Sequence, residues 1–339
     1  MNYRKLGRSG LAVSPLCLGM MSYGSRQWQP WVLDKSEARA FVRQALDAGI
    51  NFFDTADFYS AGQSEVALGD AIRGLVARDE LVISSKCGLP MGADANARGG
   101  SRKHVHASID ASLKRLGVDH LDLYLMHVWD GATPVEETVE ALHDLVRAGK
   151  ILHFGASNYM TWQLAVAQRA ALSQGRRGFT TMQLQINLAY REEERDMLPF
   201  CEHEGIGVMV FSPLARGWLV NGDGEAATLT ERERIRVERD AKARFLYGSS
   251  ADHAVRARLL EVAGRLGLPP GRVALAWVLS RPQVSSVLVG ALEPRHLEEA
   301  LAALEVQLSP EDSALLASAY QPGPIKSDAL DTVLKPAAR

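Results

Sequence analysis

Residues 36–86, SEARAFVRQALDAGINFFDTADFYSAGQSEVALGDAIRGLVARDELVISSK, decide the fold because they contain two helix-to-strand units in succession. Apolar residues recur at helical spacing in SEARAFVRQALDAG and lead into the apolar run INFFDTA, and SEVALGDAIRGL leads in the same way into ELVISSK. Continuous apolar runs of this length are typical of parallel strands that are buried on both faces. The alternation therefore predicts an α/β fold.

The same unit recurs along most of the chain. Further apolar runs precede or follow helical patterns, namely PLCLGM, LDLYLMH, ILHFGAS, TMQLQIN, IGVMVFS and VSSVLVG. The total is eight strands alternating with helices. That count favours a closed (β/α)8 barrel, or TIM barrel, over an open doubly wound sheet.

Three segments lie outside this alternation. Residues 1–14 include YRKLGRSGLAV, which alternates around two glycines and predicts an N-terminal β-hairpin. Residues 213–250 form a polar connection after strand seven that is longer than ordinary loops, so we expect it to have a function. The tail, residues 321–339, is rich in Pro and Ala and is expected on the surface. We expect residues 1–339 to form a single barrel domain.

Composition and charge argue against several classes of partner. The formal net charge is only −2, and Lys and Arg are interspersed with Asp and Glu, so neither nucleic acid nor a membrane is an expected partner. The three cysteines are far apart and predict no disulfide framework. The start of the chain lacks the apolar segment of a signal peptide. We expect a cytoplasmic protein with a small-molecule substrate, and the sequence leaves its oligomeric state open.

Four polar side chains follow separate predicted strands: Asp54, Tyr59, Lys86 and His127. Because the carboxyl ends of parallel strands meet at one rim, we expect them to lie together. An ammonium beside a phenol favours the phenolate and lowers a pKa that is ordinarily about 10, so Tyr59 can serve as a proton donor. Asp54 would orient Lys86, and His127 would hydrogen-bond the substrate oxygen. This combination predicts a site that polarises a carbonyl for hydride attack.

Each of these residues also has an ordinary structural role open to it. An Asp after a strand often caps a helix, a Lys often forms an ion pair, and Tyr and His are often core residues with satisfied polar atoms. The catalytic interpretation is favoured because four strand ends together supply an acid, its activator and an orienting group.

Two histidines raise the question of a metal site. His104 and His106 form an HxH pair, a spacing found at the start of metal sites in some barrel hydrolases. The segment begins a helical pattern instead, and no further ligands are grouped nearby in the sequence. We therefore expect no metal.

Several longer stretches together resemble one family along nearly the whole chain, up to about residue 319. They are GINFFDTADFYSAGQSEVALGDAI, VISSK, LDLYLMH, GKILHFGASN, QLQINLAYR, FSPLARG and VALAWVLS. The chain resembles the aldo-keto reductases, in particular their aryl-alcohol-dehydrogenase-like branch. The resemblance implies that the four polar residues form a catalytic tetrad with Tyr59 as the general acid. It also implies a nicotinamide cofactor bound without a Rossmann domain, and no GxGxxG motif follows any predicted strand.

The resemblance also assigns residues to the nicotinamide end and the pyrophosphate of the cofactor. Ser157, Asn158 and Gln183 match the partners of the nicotinamide carboxamide, for which they offer both donors and acceptors. Phe211 stands where many relatives stack an aromatic ring on the nicotinamide. The pyrophosphate loop SPLARG contributes the matching residues Ser212, Leu214 and Arg216.

The adenine end departs from the family pattern. Gly290 and Glu299 fit, but many relatives have a basic or polar residue at Leu292 and Arg or Gln at His296. Arg295 and His296 still place positive charge at the start of a helix, where anions are favoured. NADP(H) is therefore the favoured cofactor, and NAD(H) remains the alternative.

Aromatic residues in the rim loops suggest the substrate. Tyr23, Trp28, Trp31 and Trp129 would form walls suited to an apolar or aromatic body, although such rings also pack loops against a barrel. We expect reduction of an aldehyde or ketone to an alcohol, with aryl, sugar-like and pyridoxal-type carbonyls all open. The alternatives are a cofactor-sensing regulatory subunit with little turnover and a hydrolase or lyase that needs no cofactor.

Overall fold

Eight parallel strands close into a barrel in the computed structural model, which describes residues 1–173, 175–221 and 229–325. Within these ranges the strands are β1 (Arg4–Lys5), β2 (Ala12–Val13), β3 (Leu16–Gly19), β4 (Tyr23–Gly24), β5 (Leu33–Asp34), β6 (Phe52–Asp54), β7 (Val82–Cys87), β8 (Leu121–Met126), β9 (Ile151–Ser157), β10 (Thr181–Gln185), β11 (Gly207–Phe211) and β12 (Val284–Val289). The barrel runs in the order β3, β6, β7, β8, β9, β10, β11 and β12, and β12 pairs with β3. The predicted (β/α)8 barrel is confirmed.

Helices surround the barrel. They are α1 (Ala38–Asp47), α2 (Gln63–Ile72), α3 (Arg102–Leu116), α4 (Val135–Arg147), α5 (Thr161–Leu172), α6 (Met197–Glu204), α7 (Trp218–Asn221), α8 (Glu231–Arg239), α9 (Ala241–Leu246), α10 (Ser250–Leu266), α11 (Pro270–Leu279), α12 (Pro294–Ala303) and α13 (Pro310–Ala317). Gly117, Gly205 and Gly267 end α3, α6 and α10 in the left-handed conformation that satisfies the last helical carbonyls. No helix of the described residues is long and apolar enough to cross a bilayer.

The predicted N-terminal hairpin is formed by β1 and β2. Its Leu6 is fully buried in a small apolar cluster that also includes Phe52, Leu123 and Met209. A Cβ atom on the turn residue Gly7 would lie 2.5 Å from the backbone nitrogen of Gly207, so the hairpin contacts the start of β11. This end of the barrel is covered, and the end that follows the strands is left for the site.

The described part of the long connection after β11, predicted over 213–250, contains the short helices α7, α8 and α9. Helix α8 begins with a capping box in which Thr230 and Glu233 bond each other's backbone amides. Residues 222–228 of this connection and residues 326–339 of the predicted tail lie outside the described residues. The described start of the tail, 321–325, is exposed.

We predict opposite effects for two glycine-to-alanine substitutions in helices. A Cβ on Gly69 of α2 would lie 2.3 Å from the carbonyl oxygen of Leu116, whereas a Cβ on Gly264 of α10 would meet nothing within 4 Å. Gly69→Ala should lower the free energy of unfolding by about 1–3 kcal/mol because the packed backbones must separate. Gly264→Ala should raise it by roughly 0.5–1 kcal/mol because alanine favours the helix. Urea unfolding monitored by circular dichroism measures both, and equal effects would contradict the close helix packing.

Candidate active site

Three neighbouring strands bring the four predicted catalytic residues together. Asp54 ends β6, Tyr59 lies in the loop after it, Lys86 lies near the end of β7 and His127 directly follows β8. Strand β7 pairs with both β6 and β8, so the three strand ends are adjacent. The barrel register therefore places these side chains at one rim, as the sequence predicted.

Lys86 is the centre of this group and is fully buried. Its Nζ donates hydrogen bonds to Asp54 Oδ2 at 2.6 Å, to the Thr55 carbonyl oxygen at 2.8 Å and to the Tyr59 hydroxyl oxygen at 3.3 Å. Burial alone lowers the pKa of Lys86, but the Asp54 carboxylate and Tyr59 together outweigh burial and raise the pKa. The group therefore stays an ammonium, directed at the phenol oxygen.

His127 faces Tyr59 across the site. The two rings meet edge to face with centroids 5.7 Å apart. Burial, followed by the charges of Lys86 and Lys242, holds the pKa of His127 well below its usual value, so the imidazole is neutral. Its Nδ1 is buried and has no hydrogen-bond partner among the described residues. A neutral imidazole beside the phenol can donate one hydrogen bond to an oxygen placed between them.

Hydrogen bonds connect the tetrad to three further polar residues. Gln183 Nε2 donates to Asp54 Oδ1 at 2.9 Å. Asn158 Nδ2 donates to the carbonyl oxygen of His127 at 3.1 Å and to Ser157 Oγ at 3.0 Å. The strands β9 and β10 thus contribute amide and hydroxyl groups immediately beside the tetrad.

Backbone strain is concentrated at the same rim. Every described non-glycine residue with a positive φ lies in a loop after β6, β9 or β11; these are Ser60, Ala61, Asn158, Ser212, Ala215 and Arg216. Such conformations cost about 1–3 kcal/mol each and occur most often at functional sites.

A cleft opens near the ends of β9, β10 and β11, and Asn158, which lines it, also bonds the carbonyl oxygen of His127. Its volume is about 280 Å³, and it lies between the loop 158–162 and the segment 190–196. Asn158 and Phe211 line it, together with apolar Met182 and Trp162. The tetrad thus combines a buried ammonium, a phenol and a neutral imidazole, and Asn158 links it to a partly apolar cleft.

Comparison with known proteins identifies the family of this site. A sequence profile described as "Aldo/keto reductase family" matches residues 15–321. The chain belongs to the aldo/keto reductase family. The resemblance inferred from the sequence is therefore confirmed, and family membership makes the chain an oxidoreductase that acts on carbonyl compounds.

Several relatives align with almost the whole chain. A versiconal hemiacetal acetate reductase of Aspergillus parasiticus is 36% identical over 95% of this chain and 98% of its own length. A protein of Schizosaccharomyces pombe named "Putative aryl-alcohol dehydrogenase" is 37% identical over 96% of this chain and 97% of its own. An aldo-keto reductase of Fusarium vanettenii is 34% identical over 96% and 92%.

The predicted pyrophosphate residue Arg216 forms an ion pair with Asp240, which lies further along the same connection after β11. Its guanidinium donates to both carboxylate oxygens of Asp240, at 2.9 and 3.2 Å, and the two side chains are largely buried. Ser212 and Leu214 occupy the same loop, in which the carbonyl of Ser212 accepts a hydrogen bond from Asn187 Nδ2 at 3.0 Å. In this aldo-keto reductase the cation assigned to the phosphates already has an anionic partner, which it shares with Arg236.

The residues predicted for the adenine end have partners as well. Arg295 and His296 both bond the Glu233 carboxylate, the latter at 2.7 Å. Glu299 forms an ion pair with Arg272 at 3.0 Å. Gly290 is exposed, and a Cβ there would lie 3.1 Å from Ser22 Oγ.

Two of the predicted substrate residues lie near the tetrad and the cleft. Trp28 is half-buried with its ring centroid 6.2 Å from that of Tyr59. Trp129 is half-buried and packs edge to face on Tyr159 and Trp162, which line the cleft. Both leave part of a ring exposed at the rim.

The other two predicted substrate residues are covered. Tyr23 is fully buried, and its hydroxyl donates to the carbonyl oxygen of Ala291 at 2.9 Å. Trp31 is buried beneath the Arg236 guanidinium, which lies 3.5 Å from its ring centroid. The structure therefore does not bring Tyr23 or Trp31 to an open surface of the cleft.

A buried pair of acidic residues near the tetrad, Asp57 and Glu65, is not among the residues predicted from the sequence. Glu65 accepts hydrogen bonds from Ser85 Oγ and Arg115 Nε, both at 2.6 Å. Asp57 is buried, and its carboxyl oxygens have no hydrogen-bond partner among the described residues. Burial, and next the charge of Glu65, raise the pKa of Asp57 to about 8. The only sign of this pair in the sequence was that a second aspartate, Asp57, follows Asp54 by three positions.

Replacing Asp57 should reduce the dependence of stability on pH. A carboxyl whose pKa is raised on folding binds its proton more tightly in the folded state, so stability is full below pH 4 and is lost as pH rises toward 8. That loss is at most about 1.4 kcal/mol per pH unit for one group. Asp57→Asn should remove this contribution between pH 5 and 8.

Chemical denaturation across that pH range measures the effect, with exposed Asp79→Asn as the control. Parallel curves for wild type and Asp57→Asn would contradict the raised pKa.

Proposed function

We propose that this protein reduces an aldehyde or ketone to an alcohol with NADP(H) and that Tyr59 is the general acid. The observation that carries the proposal is the buried Lys86 ammonium, which touches both Asp54 Oδ2 and the Tyr59 hydroxyl. This arrangement couples a proton donor to a fixed positive charge.

The chain's own residues account for the proton transfer. Tyr59 donates its hydroxyl proton to the carbonyl oxygen as that oxygen gains negative charge. Lys86 stabilises the phenolate that remains, and Asp54 keeps Lys86 protonated and in place. Neutral His127 donates a hydrogen bond to the same substrate oxygen and so fixes the carbonyl. General acid assistance of this kind is worth roughly 10² to 10⁴ in rate.

The residues beside the tetrad fit a nicotinamide cofactor, which supplies the hydride when bound. Ser157, Asn158 and Gln183 provide the mixed donors and acceptors that a carboxamide needs; Asn158 and Gln183 bond the tetrad directly, and Ser157 bonds Asn158. Phe211 offers a flat face in the adjoining cleft. Cationic Arg216 suits the pyrophosphate.

The adenosine end supports NADP(H) over the alternative NAD(H). Arg295 and His296 stand in the first turn of α12, where positive side chains and the helix dipole favour an anion such as a 2'-phosphate. Gly290 and Glu299 complete the proposed adenosine contacts.

The substrate we propose is a carbonyl with an aromatic or apolar body. Half-buried Trp28 and Trp129 flank the tetrad and the cleft. The names of two relatives refer to an aryl alcohol and to a hemiacetal acetate. Sugar-like and pyridoxal-type carbonyls, the cytoplasmic location and the single-domain arrangement remain predictions from the sequence.

Substituting the proposed acid should separate chemistry from binding. Tyr59→Phe removes the proton donor and should lower kcat by about 10² to 10⁴ while the cofactor Kd changes less than about threefold. Tyr3→Phe is the matched control, because Tyr3 is exposed and its hydroxyl bonds the Gly49 carbonyl. Full activity of Tyr59→Phe would exclude the assigned role.

Cofactor titration followed by a carbonyl panel tests the function as a whole. Quenching of tryptophan fluorescence should show NADPH binding with a lower Kd than NADH, and aryl aldehydes should be reduced. Binding of NADPH without reduction of any carbonyl would favour the regulatory alternative. No binding of either dinucleotide would favour a cofactor-free hydrolase or lyase.

A further inference from the structure

Glu233 of α8 is a buried carboxylate that bridges the connection after β11 to the start of α12. Its side chain is 7% exposed. Oε1 accepts hydrogen bonds from His296 Nε2 at 2.7 Å and from Arg295, and Oε2 accepts from the backbone nitrogen of Thr230 at 2.8 Å. One carboxylate therefore accepts hydrogen bonds from both side-chain donors at the start of this helix.

The hydrogen bonds define the charge state of the cluster. His296 Nδ1 accepts from the backbone nitrogen of Leu292 at 3.2 Å, so Nε2 carries the proton that is donated to Glu233. Burial raises the pKa of Glu233, but the Thr230 amide, His296 and Arg295 outweigh burial and lower the pKa. Glu233 is thus an anion held where the proposed function puts the 2'-phosphate.

We propose that Glu233 competes with the 2'-phosphate of NADP(H) for Arg295 and His296 and thereby sets the preference between NADP(H) and NAD(H). The inference rests on the proposed function, which assigns these two donors to the adenosine end. A phosphate cannot take both donors while a carboxylate occupies them, and the two anions repel each other.

The two cofactors therefore place different demands on Glu233. NADP(H) binding requires the carboxylate to give up its two partners and move from the phosphate. A cofactor with a free 2'-hydroxyl leaves the carboxylate in place, where it can accept a hydrogen bond from that hydroxyl. The wild-type protein should therefore prefer NADPH over NADH less strongly than a protein that has Arg295 and His296 but no carboxylate at position 233.

The negative charge of Glu233 is not required to hold α8 in place. Arg236 forms an ion pair with Asp240 at 2.9 Å and covers the ring of Trp31. Arg232 bonds Glu37 at 2.7 Å. The cap at Thr230 needs only an acceptor, which glutamine also provides. Removing the charge therefore leaves the helix cap and these docking contacts intact.

The test compares ligands that differ only in the 2'-phosphate. Isothermal titration of the wild-type protein and of Glu233→Gln with 2',5'-ADP, 5'-ADP, NADPH and NADH measures binding without turnover. The variant should bind 2',5'-ADP and NADPH about tenfold more tightly or better, because loss of the competing charge frees two charge-assisted donors. Its affinity for 5'-ADP and NADH should change less than about threefold.

Glu231→Gln is the matched control because it removes a charge from the same first helical turn at an exposed position. It should leave all four affinities unchanged. Glu233→Ala, which also loses the cap, should shift selectivity in the same direction as Glu233→Gln, and thermal unfolding checks that both variants are folded.

Two outcomes would overturn the proposal in distinguishable ways. If the wild type binds both dinucleotides and Glu233→Gln leaves the ratio of their affinities unchanged, Glu233 only anchors α8 and the inference fails alone. If the wild type binds neither dinucleotide, the proposed function fails and the inference fails with it.

Discussion

The buried pair of Lys86 and Asp54 is the constraint on which the site depends. Both groups are almost completely closed to solvent, and a charge left without its partner at such a depth costs about 3–5 kcal/mol. The barrel meets this demand with groups from several strand ends: the Thr55 carbonyl accepts a second hydrogen bond from Lys86, and Gln183 donates to the other oxygen of Asp54. The third bond of the ammonium goes to Tyr59, so satisfying the ion pair also orients the proposed acid. The positive charge of Lys86, in addition to burial, lowers the pKa of His127 and so helps keep its imidazole neutral.

The barrel, and the position of the four proposed catalytic residues at its rim, were predictable because both are encoded locally. Strands buried on both faces appear as continuous apolar runs, and their spacing from helical patterns gives the order of elements. A residue that ends such a run is thereby assigned to the rim, which holds for Asp54, Lys86 and His127. The aromatic residues show the limit of this logic. A ring in a rim loop can face inward or outward, and only packing distinguishes buried Tyr23 from half-buried Trp28.

Pairings between distant segments could not be derived from the sequence. The start of α8 was readable, since Thr230 and Glu233 have the spacing of a capping box, but the polar sequence around it has too few apolar residues to show a buried face. Contact between Glu233 and His296 depends on how α8 docks against α12, which no local pattern specifies. The same is true of Arg216 with Asp240, and of Asp57, whose raised pKa follows from burial beside Glu65.

Carboxylates of the connection after β11 form ion pairs with cationic side chains at the rim. A largely buried guanidinium such as Arg216 is costly without an anion, and Asp240 supplies one from the connection. At α12 the buried group is the carboxylate of Glu233, and Arg295 and His296 supply its hydrogen-bond donors. Under the proposed function these loop side chains hold the phosphate groups of the cofactor, and in the protein alone they pair with carboxylates instead. Under that function each phosphate has to exchange with a carboxylate, which would link cofactor affinity thermodynamically to the docking of the connection. In the proposal, Glu233 competes with the 2'-phosphate, which only NADP(H) carries, so its exchange affects selectivity. Arg216 is assigned to the pyrophosphate, which both dinucleotides carry, so its exchange with Asp240 would affect the affinity for both.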